Sequence, residues 1–198
     1  MTVDSRRLAE NLRLFYNFTD KVVLFVGAGT GQLLDPSLKA KKLIAIDRDV
    51  EALQALQSRM GRECGKDSVE VLPASFEDVI LFGDVVYFEF CLHEMDEPRR
   101  ALIHARTLAP DIVVFDHSPG SDWAFYTGEE GKVRRSAEAV KRLGVRRFKT
   151  IRTEQRFNDY PELLAKVSTQ GAVAIQRVQH FISAANIVIP MNCQLTLL

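Results

Sequence analysis

Short apolar runs alternate with amphipathic segments along the first 117 residues. Five runs have the length of strands and are apolar almost throughout, at 21–26, 43–46, 69–72, 84–90 and 111–115. Such runs are typical of strands that are covered on both faces. Helical spacing occurs at 5–18, 50–60 and 98–108. Because strand and helix patterns alternate, the sequence predicts an α/β fold, a doubly wound parallel sheet with right-handed crossovers.

The last 40 residues follow a different pattern. A helical segment is predicted at 161–169, and two long extended runs follow at 172–182 and 186–197. The linker between these runs, 183–185, is too short for a crossover helix. We therefore expect the two runs to pair as antiparallel strands at the end of the sheet.

Residues 118–160 fit neither pattern. They contain an aromatic cluster (Trp123, Phe125 and Tyr126), an amphipathic helix near 129–143 and a basic segment at 146–156. We interpret this stretch as a lid inserted into a single domain of residues 1–198, over the carboxyl edge of the sheet where ligands bind in open α/β folds. The aromatic side chains either cover an apolar substrate or pack the insertion. The basic residues either meet an anionic substrate or RNA, or form a solvated face.

A glycine-rich turn directly follows the first strand and reads Gly27-Ala28-Gly29-Thr30-Gly31. Glycine lets the backbone approach a ligand and adopt positive φ values. The dinucleotide fingerprint G-x-G-x-x-G requires glycine at position 32, where this chain has Gln32. The spacing is therefore G-x-G-x-G, which disfavours an NAD-dependent oxidoreductase.

An acidic residue, Asp47, ends the second strand. One carboxylate can accept hydrogen bonds from both hydroxyls of a ribose. The alternative role of helix N-cap suits Asp49 better, since it lies closer to the helix that starts at Val50. Together with the glycine turn, Asp47 predicts a nucleoside site.

With these motifs the chain resembles the class I S-adenosylmethionine (SAM) dependent methyltransferases, notably the small-molecule enzymes of ubiquinone and menaquinone biosynthesis. The resemblance covers about residues 10–117 and rests on the runs 23–31, 44–47, 88–98, 106–110 and 112–116. It implies a Rossmann-like, seven-stranded, mostly parallel sheet with helices on both faces and an antiparallel last strand. It also implies SAM as the cofactor, and the positions that it assigns to cofactor binding are Gly27, Ala28, Gly29, Gly31, Asp47, Arg48, Ser75, Phe76 and Glu89.

Two positions depart from the pattern of this family. Phe25 stands where an acid often helps to position the methionine end of SAM, and Ala74 replaces an acid that is common after the third strand. These departures leave a non-catalytic SAM-binding protein as an alternative.

The turn after the fourth strand, Leu92-His93-Glu94-Met95, resembles the family's turn at the reactive end of SAM. His93 is the best candidate for a general base when the acceptor arrives protonated, because an imidazole titrates near neutral pH. The alternative is a turn residue whose ring bonds to the backbone. Glu94 is the second candidate catalytic residue, through orienting His93 or contacting a cation. Asp116 and His117, at the end of strand five, point to the same edge and rank behind them.

Composition narrows the classes of function. Lys plus Arg and Asp plus Glu both number 26, so no net charge draws the chain to nucleic acid or to lipid. The cysteines, Cys64, Cys91 and Cys193, form no CxxC pair or His/Cys cluster, and no metal site is predicted. Without a signal peptide or a membrane-spanning run, we expect a cytoplasmic protein.

The sequence thus predicts a SAM-dependent methyltransferase that acts on a small molecule. The alternatives are an RNA or protein methyltransferase that uses the basic segment, and a SAM-binding protein without turnover. Binding of RNA that weakens steeply with salt would favour the first alternative.

Overall fold

The computed structural model describes residues 5–34, 36–64 and 69–198. Its centre is a seven-stranded sheet in the order β3-β2-β1-β4-β5-β7-β6. Strands β1 to β5 pair in parallel, and β7 runs antiparallel to both of its neighbours. This is the predicted Rossmann-like sheet with an antiparallel last strand. The strands are β1 Val22–Val26, β2 Lys42–Asp47, β3 Val69–Pro73, β4 Val85–Glu89, β5 Asp111–His117, β6 Arg147–Asp159 and β7 Ala185–Leu197.

Helices cover both faces of the sheet. One face carries α1, α2, α6 and α7, and the opposite face carries α3 and α5. The helices are α1 Ser5–Phe15, α2 Val50–Cys64, α3 Pro98–Leu108, α4 Asp122–Tyr126, α5 Glu130–Leu143, α6 Tyr160–Val167 and α7 Ala172–Val178.

The buried strands are apolar because successive side chains enter different cores. In β4, Val85 and Tyr87 pack beneath the α1 and α2 face, whereas Val86 and Phe88 pack beneath α3. All four side chains are fully buried. Successive side chains of a strand point to opposite faces of the sheet. A strand that is covered on both faces therefore needs apolar residues at every position, which agrees with the continuous apolar runs in the sequence.

Two of the strands, β1 and β3, are not followed directly by an α-helix in the described residues. In the part of the chain that the structure describes, β1 is followed by turns and the 3₁₀ helix Pro36–Leu38, and β3 by the 3₁₀ helix Phe76–Asp78. The segments are too short, or too rich in breaking residues such as Pro36, for a helix of several turns. The glycine turn is consequently a loop that must be held by side chains from elsewhere.

The predicted hairpin of 172–182 with 186–197 is wrong. Residues Ala172–Val178 form a helix, α7, whose Ala174 and Val178 are buried one turn apart. The partner of β7 is β6, which we had placed inside a lid. Because β6 is the edge strand, only one of its faces packs, and polar residues tolerate its other positions. Its apolar signal was therefore weak.

The paired strands β6 and β7 reach past the end of β5. Their register runs from Arg147↔Leu197 to Asp159↔Ala185, whereas β5 pairs with β7 only as far as His117↔Cys193. The far half of this ribbon therefore stands beyond the carboxyl edge of the sheet. It brings residues of the C-terminal region to the ligand-binding side.

The rest of the region that we interpreted as a lid forms α4 and α5. Trp123 of α4 is buried and stacks on Phe157 of β6, with ring centroids 5.8 Å apart. Phe125 is about half exposed. The aromatic cluster thus packs this region onto the ribbon through Trp123, while covering of a ligand stays a prediction. Across residues 5–34, 36–64 and 69–198, no helix has the length and apolar character needed to cross a membrane.

Helix α1 provides a test of the core. Leu12 is fully buried, and Leu14, two positions on, is mostly exposed. Leu12→Ala should lower the free energy of unfolding by about 2–5 kcal/mol because it leaves a cavity. Leu14→Ala, the matched control, should change it by less than about 0.5 kcal/mol. Urea denaturation of both variants checks this, and similar losses would show that α1 does not pack as described.

Candidate functional site

The glycine turn is built from three residues with positive φ. Gly27, Gly29 and Gly31 have φ values of 62°, 46° and 67°. A Cβ at Gly27 would lie 2.3 Å from the Cβ of Cys91, so no side chain fits there. At Gly29 a Cβ would meet no protein atom within 4 Å. The turn is therefore crowded on its inner side and open at Gly29, where a ligand has room to approach the backbone.

Cys91 lies against the turn rather than in the core. Its Sγ donates to the backbone oxygen of Val26 at 3.1 Å, and its side chain occupies the space beside Gly27. Burial raises the pKa of the Cys91 thiol well above its usual value. The Cys91 side chain therefore fills the space beside Gly27 and favours the thiol form.

Asp47 contacts the glycine turn directly. Its Oδ2 accepts a hydrogen bond of 2.8 Å from the backbone N–H of Gly29, and its Oδ1 accepts one of 3.0 Å from Asp49. Asp49 in turn accepts from the N–H of Ala52 at 3.0 Å and so caps α2. The predicted proximity of Asp47 to the glycines is confirmed, as is the capping role of Asp49.

A cavity of about 360 Å³, here called the Asp47 cavity, lies on one side of the turn. Arg48, Ser75 and Phe76, which the sequence assigned to the cofactor, all line it. The Phe76 ring is mostly buried, since it packs edge-on against Phe88 at 5.4 Å. Glu94 also lines this cavity. The structure thus gathers these four predicted residues in one place.

A second cavity of about 310 Å³, the Trp123 cavity, lies on the other side of the turn. Residues 27–33 of the glycine loop form one wall. The other walls include Glu89, His117 and Trp123, which the sequence analysis had singled out. They also include Phe90, Gln155 and Met191, which it had not connected with the site. Gly27 and Phe90 line both cavities, so the two spaces meet there.

Phe90 has an unusual backbone conformation at this junction. Its φ is 48°, in the left-handed region that bulky residues rarely adopt, and its N–H donates to the oxygen of Phe115 at 2.7 Å. Its ring packs against Phe115 and His117 with centroids 5.0 and 5.1 Å away. Such conformations persist where surrounding contacts impose them and cluster at functional sites.

Arg59 of α2 holds the glycine loop from behind. Its guanidinium donates to the backbone oxygens of Thr30, Gly31 and Leu34 at 3.1, 2.6 and 3.1 Å. In the described residues no α-helix follows the loop to bind these three carbonyl oxygens, and Arg59 supplies their hydrogen bonds instead. The sequence pattern carried no signal for this role, because Arg59 stands on the polar face of an amphipathic helix.

Glu89 holds the far end of the same loop. Its carboxylate accepts from the N–H of Leu33 at 3.2 Å and from the hydroxyl of Tyr87 at 2.9 Å. Burial raises the pKa of Glu89 to about 7, although both hydrogen bonds oppose the shift. Phe25, which replaces the family's usual acid, is fully buried and stacks on Tyr87 at 5.2 Å. A carboxylate is thus present at the glycine loop, but it comes from β4.

His93 is buried among carboxylates. Its Nδ1 lies 2.5 Å from Oδ1 of Asp116, and its backbone N–H donates to the other oxygen of Asp116 at 3.0 Å. Its Nε2 lies 3.4 Å from Oε1 of Glu94 and 4.0 Å from Oε2 of Glu129. His93 is only 3% exposed and lines neither cavity. The structure therefore does not place the predicted base beside an open space.

The charges around His93 shift several pKa values. Burial lowers the pKa of His93, but its hydrogen bonds to Asp116 and Glu94 outweigh burial and raise it to about 10. The hydrogen bond to His93 holds the pKa of Glu94 below its usual range. Burial raises the pKa of Glu129 to about 7 and lowers that of His117 to about 4. Without another cation, His93 is protonated at neutral pH and acts as a donor.

Comparison with known proteins identifies the class of fold. No protein-family model matches the sequence, and no curated protein matches it. A candidate methyltransferase of Bacillus halodurans has a similar structure, with a TM-score of 0.71, 14% identity and coverage of 97% of both chains. The magnesium protoporphyrin IX methyltransferase of Synechocystis, solved with bound SAM, has a TM-score of 0.56 at 12% identity and covers 98% of this chain and 77% of its own.

A candidate RNA methyltransferase from Pyrococcus horikoshii is similar as well. Its TM-score is 0.59 at 18% identity, and the match covers 98% of this chain and 80% of that one. The chain therefore has the Rossmann-like fold of SAM-dependent methyltransferases. The acceptors named for these neighbours differ, so the fold leaves the acceptor open.

The crowding at Gly27 generates a prediction about stability. Gly27→Ala should destabilise the protein by at least about 2 kcal/mol more than Gly29→Ala, because both carry the strain of positive φ but only the first adds a clash with Cys91. Urea denaturation of the two variants measures the difference. Equal losses would contradict the close approach of Cys91 to the turn.

The buried carboxyl of Glu89 generates a prediction about pH. The pKa of Glu89 is near 7 in the folded protein, against 4.5 for an ordinary carboxyl group, so the folded protein keeps this proton to a higher pH than the unfolded chain does. Its contribution to stability is thus full below about pH 4.5 and is lost as pH rises through 7, a change of about 3 kcal/mol. Relative to Glu89→Gln, the native protein should lose this amount between about pH 5 and 8 in urea denaturation.

Glu138→Gln, at an exposed position of α5, is the matched control and should follow the native protein. A constant difference between the native protein and Glu89→Gln at all pH values would show that Glu89 does not titrate in this range.

Proposed function

We propose that this protein is a SAM-dependent methyltransferase whose acceptor is a small molecule. The observation that carries the proposal is the Asp47 carboxylate, held 2.8 Å from the N–H of Gly29 where two cavities meet. Neighbours of the same fold include an enzyme solved with bound SAM. The fold and this arrangement together support a nucleoside cofactor with a second compartment beside it.

The residues at the turn fit this cofactor. The open space over Gly29 is where a Cβ would intrude on a ligand, and each oxygen of Asp47 retains a lone pair beyond its backbone hydrogen bond. Those lone pairs suit the two hydroxyls of a ribose. SAM fits the donor and acceptor set, because it combines a ribose with a cationic methionine end.

The two cavities suggest how the cofactor is divided. The adenosine half suits the Asp47 cavity, where Asp47, Arg48, Ser75 and Phe76 lie together. The methionine end then crosses Gly27, Ala28, Gly29 and Gly31 towards Glu89, whose ionised form would favour the positive charge of the cofactor. In this arrangement Glu89 takes the role that Phe25 cannot perform.

The Trp123 cavity suits the acceptor. Its walls combine apolar side chains, such as Trp123, Phe90 and Met191, with polar ones that include Gln32, Glu89, His117, Gln155 and Lys166. One of these polar groups is Gln155, whose Nε2 donates to the sulfur of Met191 at 3.2 Å while its Oε1 is buried without a hydrogen-bond partner in the described residues. An unsatisfied acceptor of this kind suits a ligand that carries a hydroxyl or amine. We infer a small acceptor that carries such a group and has an apolar part to pack against Trp123, Phe90 and Met191.

The protein's part in the reaction is alignment and exclusion of water. SAM supplies a methyl group that is already activated on its sulfonium. The chain's residues hold the two compartments in line across Gly27 and keep the acceptor in the Trp123 cavity. His93 faces carboxylates and lines neither cavity. We therefore propose that it supports the residues around the site from behind and does not remove a proton from the acceptor. Glu94 remains beside the Asp47 cavity, where it can contact a ligand.

The alternative of an RNA acceptor has weaker support. Several basic side chains of the region from 130 to 156 already have partners: Lys132 binds Glu94, Arg146 binds Asp111, and Arg156 binds Glu154. Arg147 stacks on the ring of Phe15 at 4.4 Å. These contacts reduce the free positive charge for phosphates. RNA binding whose affinity falls steeply as the salt concentration rises would nevertheless favour this alternative.

Substitution of Asp47 tests the cofactor site. Asp47→Asn keeps one acceptor for Gly29 but loses the second carboxylate oxygen, so SAM and S-adenosylhomocysteine should bind about 10- to 100-fold more weakly. Asp122→Asn is the matched control, because Asp122 is exposed and lines neither cavity. Isothermal titration calorimetry with both cofactor forms measures the effect.

The result that would overturn the proposal is an absence of binding heat for both cofactor forms with the native protein. Thermal stabilisation by NAD but not by SAM would point instead to an oxidoreductase. If SAM binds and a panel of small hydroxyl and amine acceptors yields no S-adenosylhomocysteine, the non-catalytic alternative gains support.

A further inference from the structure

Two histidines and one glutamate converge behind the Trp123 cavity. One nitrogen of His93, one nitrogen of His117 and one oxygen of Glu129 all lie within 4.8 Å of one another. They come from three parts of the chain: the turn after β4, the end of β5, and the segment between α4 and α5. We propose that these three side chains bind a divalent transition-metal ion, for which zinc is the probe.

The orientation of His93 matches that of a metal ligand. Its Nδ1 lies 2.5 Å from Asp116, so its Nε2 faces the cluster, 4.0 Å from Oε2 of Glu129. Histidines that bind metals characteristically give their second ring N–H to a carboxylate, which fixes the tautomer and the ring. His93 and Asp116 are 3% and 6% exposed, so this pairing is firmly enclosed.

His117 lacks the partner that its burial calls for. Its Nδ1 is buried and has no hydrogen-bond partner within the described parts of the chain. Its ring lies 5.3 Å from the ring of His93, measured between centroids. A buried polar atom without a partner is uncommon in folded proteins and indicates an interaction still to be made. An ion bound beside the ring would supply it.

The carboxylates add the negative charge that a cation requires. Glu129 is 6% exposed, and its Oε2 accepts from the hydroxyl of Thr127 at 2.9 Å. Glu94 also faces Nε2 of His93, with its Oε1 at 3.4 Å, and its Oε2 is bound to Lys132 at 2.6 Å. Lys132 thus offsets the charge of Glu94. Asp116 and Glu129 are the two buried carboxylates that remain beside the imidazoles.

Two imidazoles and one carboxylate are the donor set of many zinc sites, and also of non-haem iron sites. Ligand atoms about 2.1 Å from a tetrahedral ion lie about 3.4 Å apart. The three ligand atoms lie within 4.8 Å of one another, so each pair would have to approach by at most about 1.4 Å, which side-chain rotations provide. His117 also lines the Trp123 cavity, so the ion would sit at the wall of that cavity.

The experiment uses the full chain after treatment with a chelator. Zinc titrated by calorimetry should bind at about one equivalent, with a Kd of about 1 µM or tighter. Cobalt in place of zinc should produce the visible absorption bands of a protein-bound ion. His117→Gln and Glu129→Gln should each weaken zinc binding at least about tenfold. His180→Gln is the matched control, because His180 is exposed and packs on Tyr126 away from the cluster.

Circular dichroism of each metal-free variant shows that a loss of binding is not a loss of folding. The proposal is overturned if the native protein binds zinc no more tightly than about 100 µM, or if His180→Gln loses as much affinity as His117→Gln. The site does not rest on the proposed function, since zinc binding and SAM binding are measured separately and either can fail alone.

Discussion

The site depends on one hydrogen bond, from the N–H of Gly29 to the carboxylate of Asp47. It joins the tip of β1 to the tip of β2, which lie side by side because the strands are parallel and in register. In the described residues, no α-helix lies between β1 and β2. The turn is therefore not supported by a helix that follows it directly. The carboxylate therefore has two tasks: it anchors the backbone of the turn, and it presents acceptors to the space above.

The rest of the turn is held from both ends by buried or half-buried polar groups. Arg59 binds three of its carbonyl oxygens, and Glu89 binds the N–H of Leu33. Cys91 closes the inner side against Gly27. These contacts leave freedom only over Gly29, so the open face of the loop is an outcome of crowding everywhere else. Such a preformed cradle lowers the entropy that a ligand must lose on binding.

Beyond the turn, the ends of β4 and β5 gather an unusual concentration of charge. Asp116 and Glu129 are buried, and His93 lies between them. Buried carboxylates are stable only when a cation, a proton or hydrogen bonds compensate for lost hydration. The neighbouring His117 also lines the Trp123 cavity. The charge of this cluster therefore bears on the electrostatics of that cavity.

The sequence determined by itself those features that depend on neighbours along the chain. The five apolar runs, the positive-φ glycines and the acid at Asp47 were recognisable because strand burial, backbone freedom and ribose binding each demand particular residue types. The carboxyl ends of parallel strands meet at one edge, so the meeting of Asp47 with Gly29 also followed from the pattern.

Only the tertiary structure decided the features that depend on distant contacts. Strand β6 was hidden because an edge strand needs few apolar residues, and α7 carried a pattern that suits a strand as well as a helix. The roles of Arg59 and Gln155 arise from packing across the sheet edge. His93 looked like a base in the sequence, but burial between carboxylates changed its charge and its access, because both depend on what surrounds the ring in space.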